Sequence, residues 1–131
     1  MTPTHANAHG FTVRDINQGN GRLNCADCAI QLDRLLSGQQ ANVAGITGAT
    51  STRTVQRAVG GRFEVGFNHT TLDQTLSHPA SRGIIFGSRV TGEIGHFFNG
   101  VNQKGSIQFS DGQSGGAASL EGFTELWFLR T

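Results

Sequence analysis

The sequence predicts an α+β domain in which one amphipathic helix comes first and a set of short antiparallel strands follows. Two patterns carry that reading. Residues 25–37 place Cys25, Cys28, Ala29, Leu32, Leu35 and Leu36 at the i, i+3, i+4, i+7 spacing of a helix with one buried face. From residue 83 onward, apolar and β-branched runs of strand length alternate with glycines. Nineteen glycines in 131 residues fit a chain of many turns and close backbone approaches.

Taken in order, residues 1–10 are polar and without the pattern of a signal peptide. They are expected to be a flexible lead-in at the edge of a longer protein, with the domain spanning 11–131. Asn24 is a suitable N-cap for the helix at 25–37, Asp27 stands in the capping-box position, and Gly38 is a natural stop. Residues 39–50 read as an irregular loop. A short helix is expected over 52–59, stopped by Gly60-Gly61, and residues 62–67 alternate like a strand or continue the loop. One or two helical turns are expected over 71–77, before Pro79. Strands are expected at 83–90, 95–102, 106–111 and 124–130, and the short connection at 102–105, ending in Gly, is a hairpin signal.

The composition is that of a single globular domain: 36% hydrophobic, 15% charged. A chain of this size buries roughly two-thirds of its unfolded surface, enough for a core. The net charge of +1 gives no field that points to nucleic acid or a membrane surface, and no apolar run approaches the ~20 residues of a membrane helix. The two cysteines, Cys25 and Cys28, would close only a tiny loop, so the thiols read as reduced.

Reactive side chains fall where these elements bring them together. With Gln103 and Lys104 as the two loop residues of the hairpin, His96 faces Asp111 across the strands, at the ~5 Å Cβ separation of opposed residues. A carboxylate there fixes the tautomer of the imidazole and leaves its other nitrogen as a base. Cys25 stands in the first turn of the helix, where the partial positive charge favours a thiolate. Nucleophile at a helix start, with base and orienting acid on a sheet, is the logic of a Cys-His-Asp hydrolase. Each residue alone also has a plainer reading: Cys25 as core filler, His96 as a structural or surface side chain, and Asp111 as part of an ordinary Ser-Asp-Gly-Gln turn.

Three other readings compete, one of them a non-catalytic binding module that merely keeps the fold. A thiol redox centre at Cys25 and Cys28 would normally follow a strand in a βαβ unit, and none is evident before Asn24. A metal-binding module would use Cys25 and Cys28 with His5 and His9, but lacks a second Cys-x-x-Cys or a compact His pair. Neither gives His96 and Asp111 a role.

The segment Asn24-Cys25-Ala26-Asp27-Cys28-Ala29, followed by Leu32, Leu35 and Gly38, resembles the Asn-Cys-x-x-Cys helix of the papain-fold toxin domains, the toxin glutamine deamidases. Gly95-His96-Phe97-Phe98-Asn99 is similar to the Gly-His-x-x-Asn strand of that family. Residues 109–115, Phe-Ser-Asp-Gly-Gln-Ser-Gly, are similar to its Asp-x-Gln-x-Gly segment, and residues 126–131 to its closing strand. Order and spacing fit from about residue 16 to the end. The resemblance implies a papain-like cysteine hydrolase fold, with an N-terminal catalytic helix packed on a small antiparallel sheet. It implies Cys25 as nucleophile, His96 as general base and Asp111 as orienting acid, with no metal or organic cofactor. It also implies a bacterial toxin or effector module, secreted or injected as part of a larger protein, with a role in interbacterial competition. The module would deamidate a reactive glutamine on a protein in the target-cell cytoplasm and be checked by a cognate immunity protein. Proteolysis or transglutamination would use the same triad. In papain proper the second Cys of a Cys-x-x-Cys pair attacks, which makes Cys28 the alternative nucleophile; Cys25 is preferred as nearest the helix start. Asn24, Asn99 and Gln113 are candidates for an oxyanion or substrate contact, as are Gln18 and Asn20 just before the helix. The loop at 39–50 is a candidate groove wall.

Overall fold

A computed structural model describes residues 12–21, 23–45, 50–90 and 93–131. The lead-in expected over 1–10, and with it His5 and His9, lies outside the described residues. A 3-10 turn at Val13–Asp15 leads to helix α1 (Cys25–Leu36), then α2 (Thr52–Val59), strand β1 (Glu64–Phe67) and α3 (His69–Thr75). The remaining strands follow: β2 (Arg82–Ser88), β3 (His96–Gln103), β4 (Ser106–Asp111), β5 (Gly116–Ala117) and β6 (Glu125–Arg130). All pair antiparallel in one six-stranded sheet of order β1-β6-β2-β3-β4-β5. The α+β expectation therefore holds. The sequence reading missed the Val13–Asp15 turn and the two-residue β5, which are too short to show a period.

Side-chain alternation divides the sheet into two packed faces. On one, Ile84, Phe97 and Leu129 meet Cys25, Ala26 and Ala29 of α1, together with Val55 of α2. On the other, Ile85, Phe98 and Phe128 pack with Leu72 and Leu76. The outer flank of α1 is covered in turn: Leu32 and Leu35, both fully buried, contact Val13, Ile16, Ala41, Ala44 and Val101. Residues 41 and 44 thus serve the back of the helix. The chain end is tied to the same helix, since Thr131 Oγ1 donates to Asp33 Oδ1.

Two expectations need correction. The hairpin turn is Lys104-Gly105, not Gln103-Lys104: the observed pairs Asn99↔Ser110 through Gln103↔Ser106 set a register two residues away from the expected one. A two-residue loop of this kind needs positive φ at both central positions. Lys104 at +55° and Gly105 at +92° meet that need, with glycine where it is most easily met, and the Gly105 N–H donates to Asn102 Oδ1 at 2.8 Å. Second, Asn24 precedes α1 but makes no side-chain cap, and Asp27 does not complete a capping box. The Asn24 amide is engaged by Asn17, Gly45 and Gln113 instead, and Asp27 accepts the Gly45 N–H at 2.7 Å.

Asn99, a candidate substrate contact from the sequence, is fully buried on β3, and its Nδ2 donates to the Ala29 carbonyl of α1 at 2.9 Å. It pins helix to sheet and reaches no surface. Asn99→Ala should lower the unfolding free energy by about 1–3 kcal/mol, the cost of orphaning a buried polar partner. Urea denaturation monitored by circular dichroism measures this.

Candidate active site

The β3–β4 pairing stops at Asn99↔Ser110, although β3 begins at His96 and β4 runs on to Asp111. The start of α1 sits at this opening. Gly112 makes the approach possible: a Cβ there would lie 3.1 Å from the Cys28 carbonyl and 3.2 Å from Ile16 Cγ2. Residues 96–98 of β3, released from β4, are thereby left facing the helix start.

His96 and Asp111 meet at this end of the sheet, with His96 Nε2 2.9 Å from Asp111 Oδ2. They do so diagonally, since the observed register, continued past Asn99, sets Phe98 rather than His96 against Asp111. A two-residue shift preserves the face to which a side chain points, and diagonal neighbours remain within reach of long side chains. Phe98 stacks beneath the imidazole at a centroid distance of 6.1 Å, and Phe123 stacks on Phe98 at 5.9 Å. Backbone N–H groups of Gln113 and Ser114 hold the other carboxylate oxygen of Asp111, at 2.9 and 3.4 Å.

Cys25 sits beside His96 and the Phe97 N–H. Burial by itself would raise its pKa, but the neighbouring imidazole, the Phe97 N–H and the imidazolium charge outweigh burial and hold the thiol below its ordinary value. Burial likewise disfavours the charged imidazole, yet Asp111 and then Cys25 raise His96 from 6.5 to about 9. Asp111 is also buried, and its bonds from His96, Gln113 and Ser114 lower its carboxyl nonetheless. All three shifts favour the charged forms: thiolate, imidazolium and carboxylate in a row. Cys28 differs. Burial, then the Asp111 charge, push it up to about 12, and it is 1% exposed against the core.

A cleft of about 470 Å³ opens over the row. Cys25, His96, Asp111 and Gln113 face it, and Leu23 and Ile94, about half exposed, border it. Arg89 supports that border: its guanidinium lies over the Phe123 ring at 5.1 Å and donates to the Ile94 carbonyl at 2.7 Å. Of the second-tier candidates, Gln113 reaches the cleft, whereas Asn24 is 1% exposed behind Cys25. Gln18 and Asn20 are exposed but line no part of the cleft. The loop expected to form a wall does not do so over residues 39–45, and residues 46–49 lie outside the described residues. Arg89, Ile94, Ser119, Glu121 and Phe123 supply that border instead, and none of them was singled out in the sequence. Asn17 was missed too; it lies in a polar stretch without periodicity, and its bond to Gln113 spans 96 positions of the chain. Among the described residues, no three His, Cys, Asp or Glu side chains are grouped to hold a metal ion.

The family described as papain fold toxin 1, glutamine deamidase, matches residues 23–116. No curated protein matches the chain.

The two cysteines should separate in their reactivity. Iodoacetamide at pH 7 should alkylate Cys25 at least tenfold faster than Cys28, because only the thiolate attacks. Cys25 labelling should fall away as the pH drops through its lowered pKa, and Cys28→Ala should leave it intact. Peptide mapping by mass spectrometry measures both rates.

Proposed function

The chain belongs to the papain fold toxin 1, glutamine deamidase family, whose members are enzymes with a cysteine-hydrolase fold, and from that premise we propose that Cys25, His96 and Asp111 are its catalytic triad and that a protein glutamine side chain is its substrate. The observation that carries this reading is the His96–Asp111 hydrogen bond with Cys25 beside the imidazole, all three facing one open cleft.

In this mechanism the Cys25 thiolate adds to the carboxamide carbon of the glutamine. The oxyanion meets the N–H groups of the first turn of α1, which carry no side-chain cap. His96 gives its proton to the departing nitrogen, ammonia leaves, and a thioester remains. His96, now neutral and held in orientation by Asp111, takes a proton from water as the water attacks the thioester. Glutamate is released and the thiolate–imidazolium pair returns. The lowered thiol of Cys25 and the high value of Cys28 favour Cys25 as the attacking sulfur over the papain-type alignment. The product exchanges a neutral amide for a carboxylate on the target, a change of charge sufficient to break an interface or a switch.

The wider reading follows the toxin family. The domain acts in the cytoplasm of a target cell, delivered by a secreted or injected parent protein in competition between bacteria. A cognate immunity protein would silence it, most directly by covering the cleft. Leu23 and Ile94 at the border are suited to such a contact.

Expression inside a bacterial cell tests the assignment. Wild type should halt growth, and intact-protein mass spectrometry should find glutamine-to-glutamate conversion with release of ammonia. Cys25→Ala, His96→Ala and Asp111→Ala should each reduce conversion by about 10³-fold or more, while Cys28→Ala keeps it. Peptide cleavage, or amine incorporation in place of hydrolysis, would sink the deamidase assignment, and a requirement for Cys28 alone would move the nucleophile. The pH profile has a definite sign. Acid removes the thiolate, and rising pH through about 9 removes the proton that His96 must donate. Initial rates of ammonia release should therefore trace a bell whose alkaline limb lies near pH 9.

A further inference from the structure

Three residues beside the cleft close a hydrogen-bonded ring. Asn24 Nδ2 donates to Asn17 Oδ1 at 2.9 Å, Asn17 Nδ2 donates to the Gln113 carbonyl at 2.9 Å, and Gln113 Nε2 donates to Asn24 Oδ1 at 3.1 Å. Backbone groups dictate the direction of every bond. Asn17 Nδ2 also donates to the Gly21 carbonyl, and Asn17 Oδ1 accepts the Gly21 N–H. A carbonyl only accepts and an N–H only donates, so the Asn17 amide has one orientation. Asn24 Nδ2 is fixed in the same way by the Gly45 carbonyl. Its oxygen is then left to accept from Gln113.

Each end of the ring grips part of the site. Asn24 immediately precedes Cys25, and its carbonyl accepts the Cys28 N–H, the first bond of α1. The Gln113 N–H donates to Asp111 Oδ1 at 2.9 Å. Asn17 belongs to neither element and bonds to both. Space around the ring is tight: a Cβ on Gly21 would lie 2.6 Å from Asn24 Nδ2. The amides of Asn17 and Asn24 are fully paired, so loss of Asn17 leaves the buried Asn24 amide short of a partner and frees the ring to shift.

We propose that Asn17 is a positioning residue for the reaction: through the ring with Asn24 and Gln113 it holds the start of α1 in register with Asp111, and so keeps Cys25 within hydrogen-bond reach of His96. The inference rests on the triad reading, but its readout needs no target protein. In the 131-residue chain, the rate of Cys25 alkylation by iodoacetamide is followed against pH, with thermal unfolding measured in parallel. Asn17→Ala should move the acid limb to higher pH by about one unit, a roughly tenfold loss of rate at a fixed pH on that limb, in a chain still folded at the assay temperature. Asn17→Asp keeps the oxygen that accepts from Asn24 and Gly21 but loses both donated bonds, and should fall between the two. A folded Asn17→Ala whose acid limb coincides with that of wild type overturns the positioning role and leaves Asn17 a structural residue. Should Asn17→Ala fail to fold, an unshifted limb in Asn17→Asp overturns it equally. A wild-type chain whose Cys25 shows no depressed limb overturns the thiolate reading itself, and the positioning role with it.

Discussion

The hydrogen bond between His96 and Asp111 depends on a ladder that ends early. Had β3 and β4 stayed paired to their ends, the strand edge at residues 96–98 would face β4, with no opening for a helix. Because the pairing stops at Asn99 and Ser110, the Phe97 N–H can turn to Cys25 at the start of α1. Glycine at 112 permits the contact, and apolar clusters pack both faces of the sheet around it. Fold and chemistry therefore share one constraint, the approach of a helix start to the end of a broken hairpin.

Electrostatics at that junction work against burial. Desolvation raises Cys25 and Asp111 and lowers His96, each toward the neutral form. Mutual bonding reverses all three. Each charge is favoured by its neighbours, so a variant that removes one member shifts the others. Cys28 illustrates the alternative, since it is buried on the same helix without such partners and remains a thiol. One helical turn separates a thiol beside an imidazole from a core side chain.

Much of this was legible in the residues. The apolar period over 25–36 identified α1, the expected helix at 52–59 coincides with α2, and the expected strand at 106–111 coincides with β4. These segments have a strong period or clear stops at both ends. Cys25, His96 and Asp111 were named from local logic and are found in one cleft. Their agreement survived an error in register because the error was an even number of residues. A slip of one would have turned the Asp111 side chain to the opposite face. Asn99 shows the reverse case: a motif position named as a substrate contact is a buried brace, because motif membership carries no information on which face a strand residue takes.

The sequence by itself determined the α+β class, the position of the leading helix, the polar and apolar faces, and the residue types for a thiol-based hydrolase. These depend on period, glycine placement and side-chain chemistry, all of which are local. Only the tertiary structure decided where the hairpin ladder ends, which cysteine has an imidazole beside it, and that Asn24 abandons its capping role for a ring with Asn17 and Gln113. Those outcomes arise from contacts between residues as far as 96 positions apart. Such contacts are set by how helix and sheet pack, and no local pattern records them.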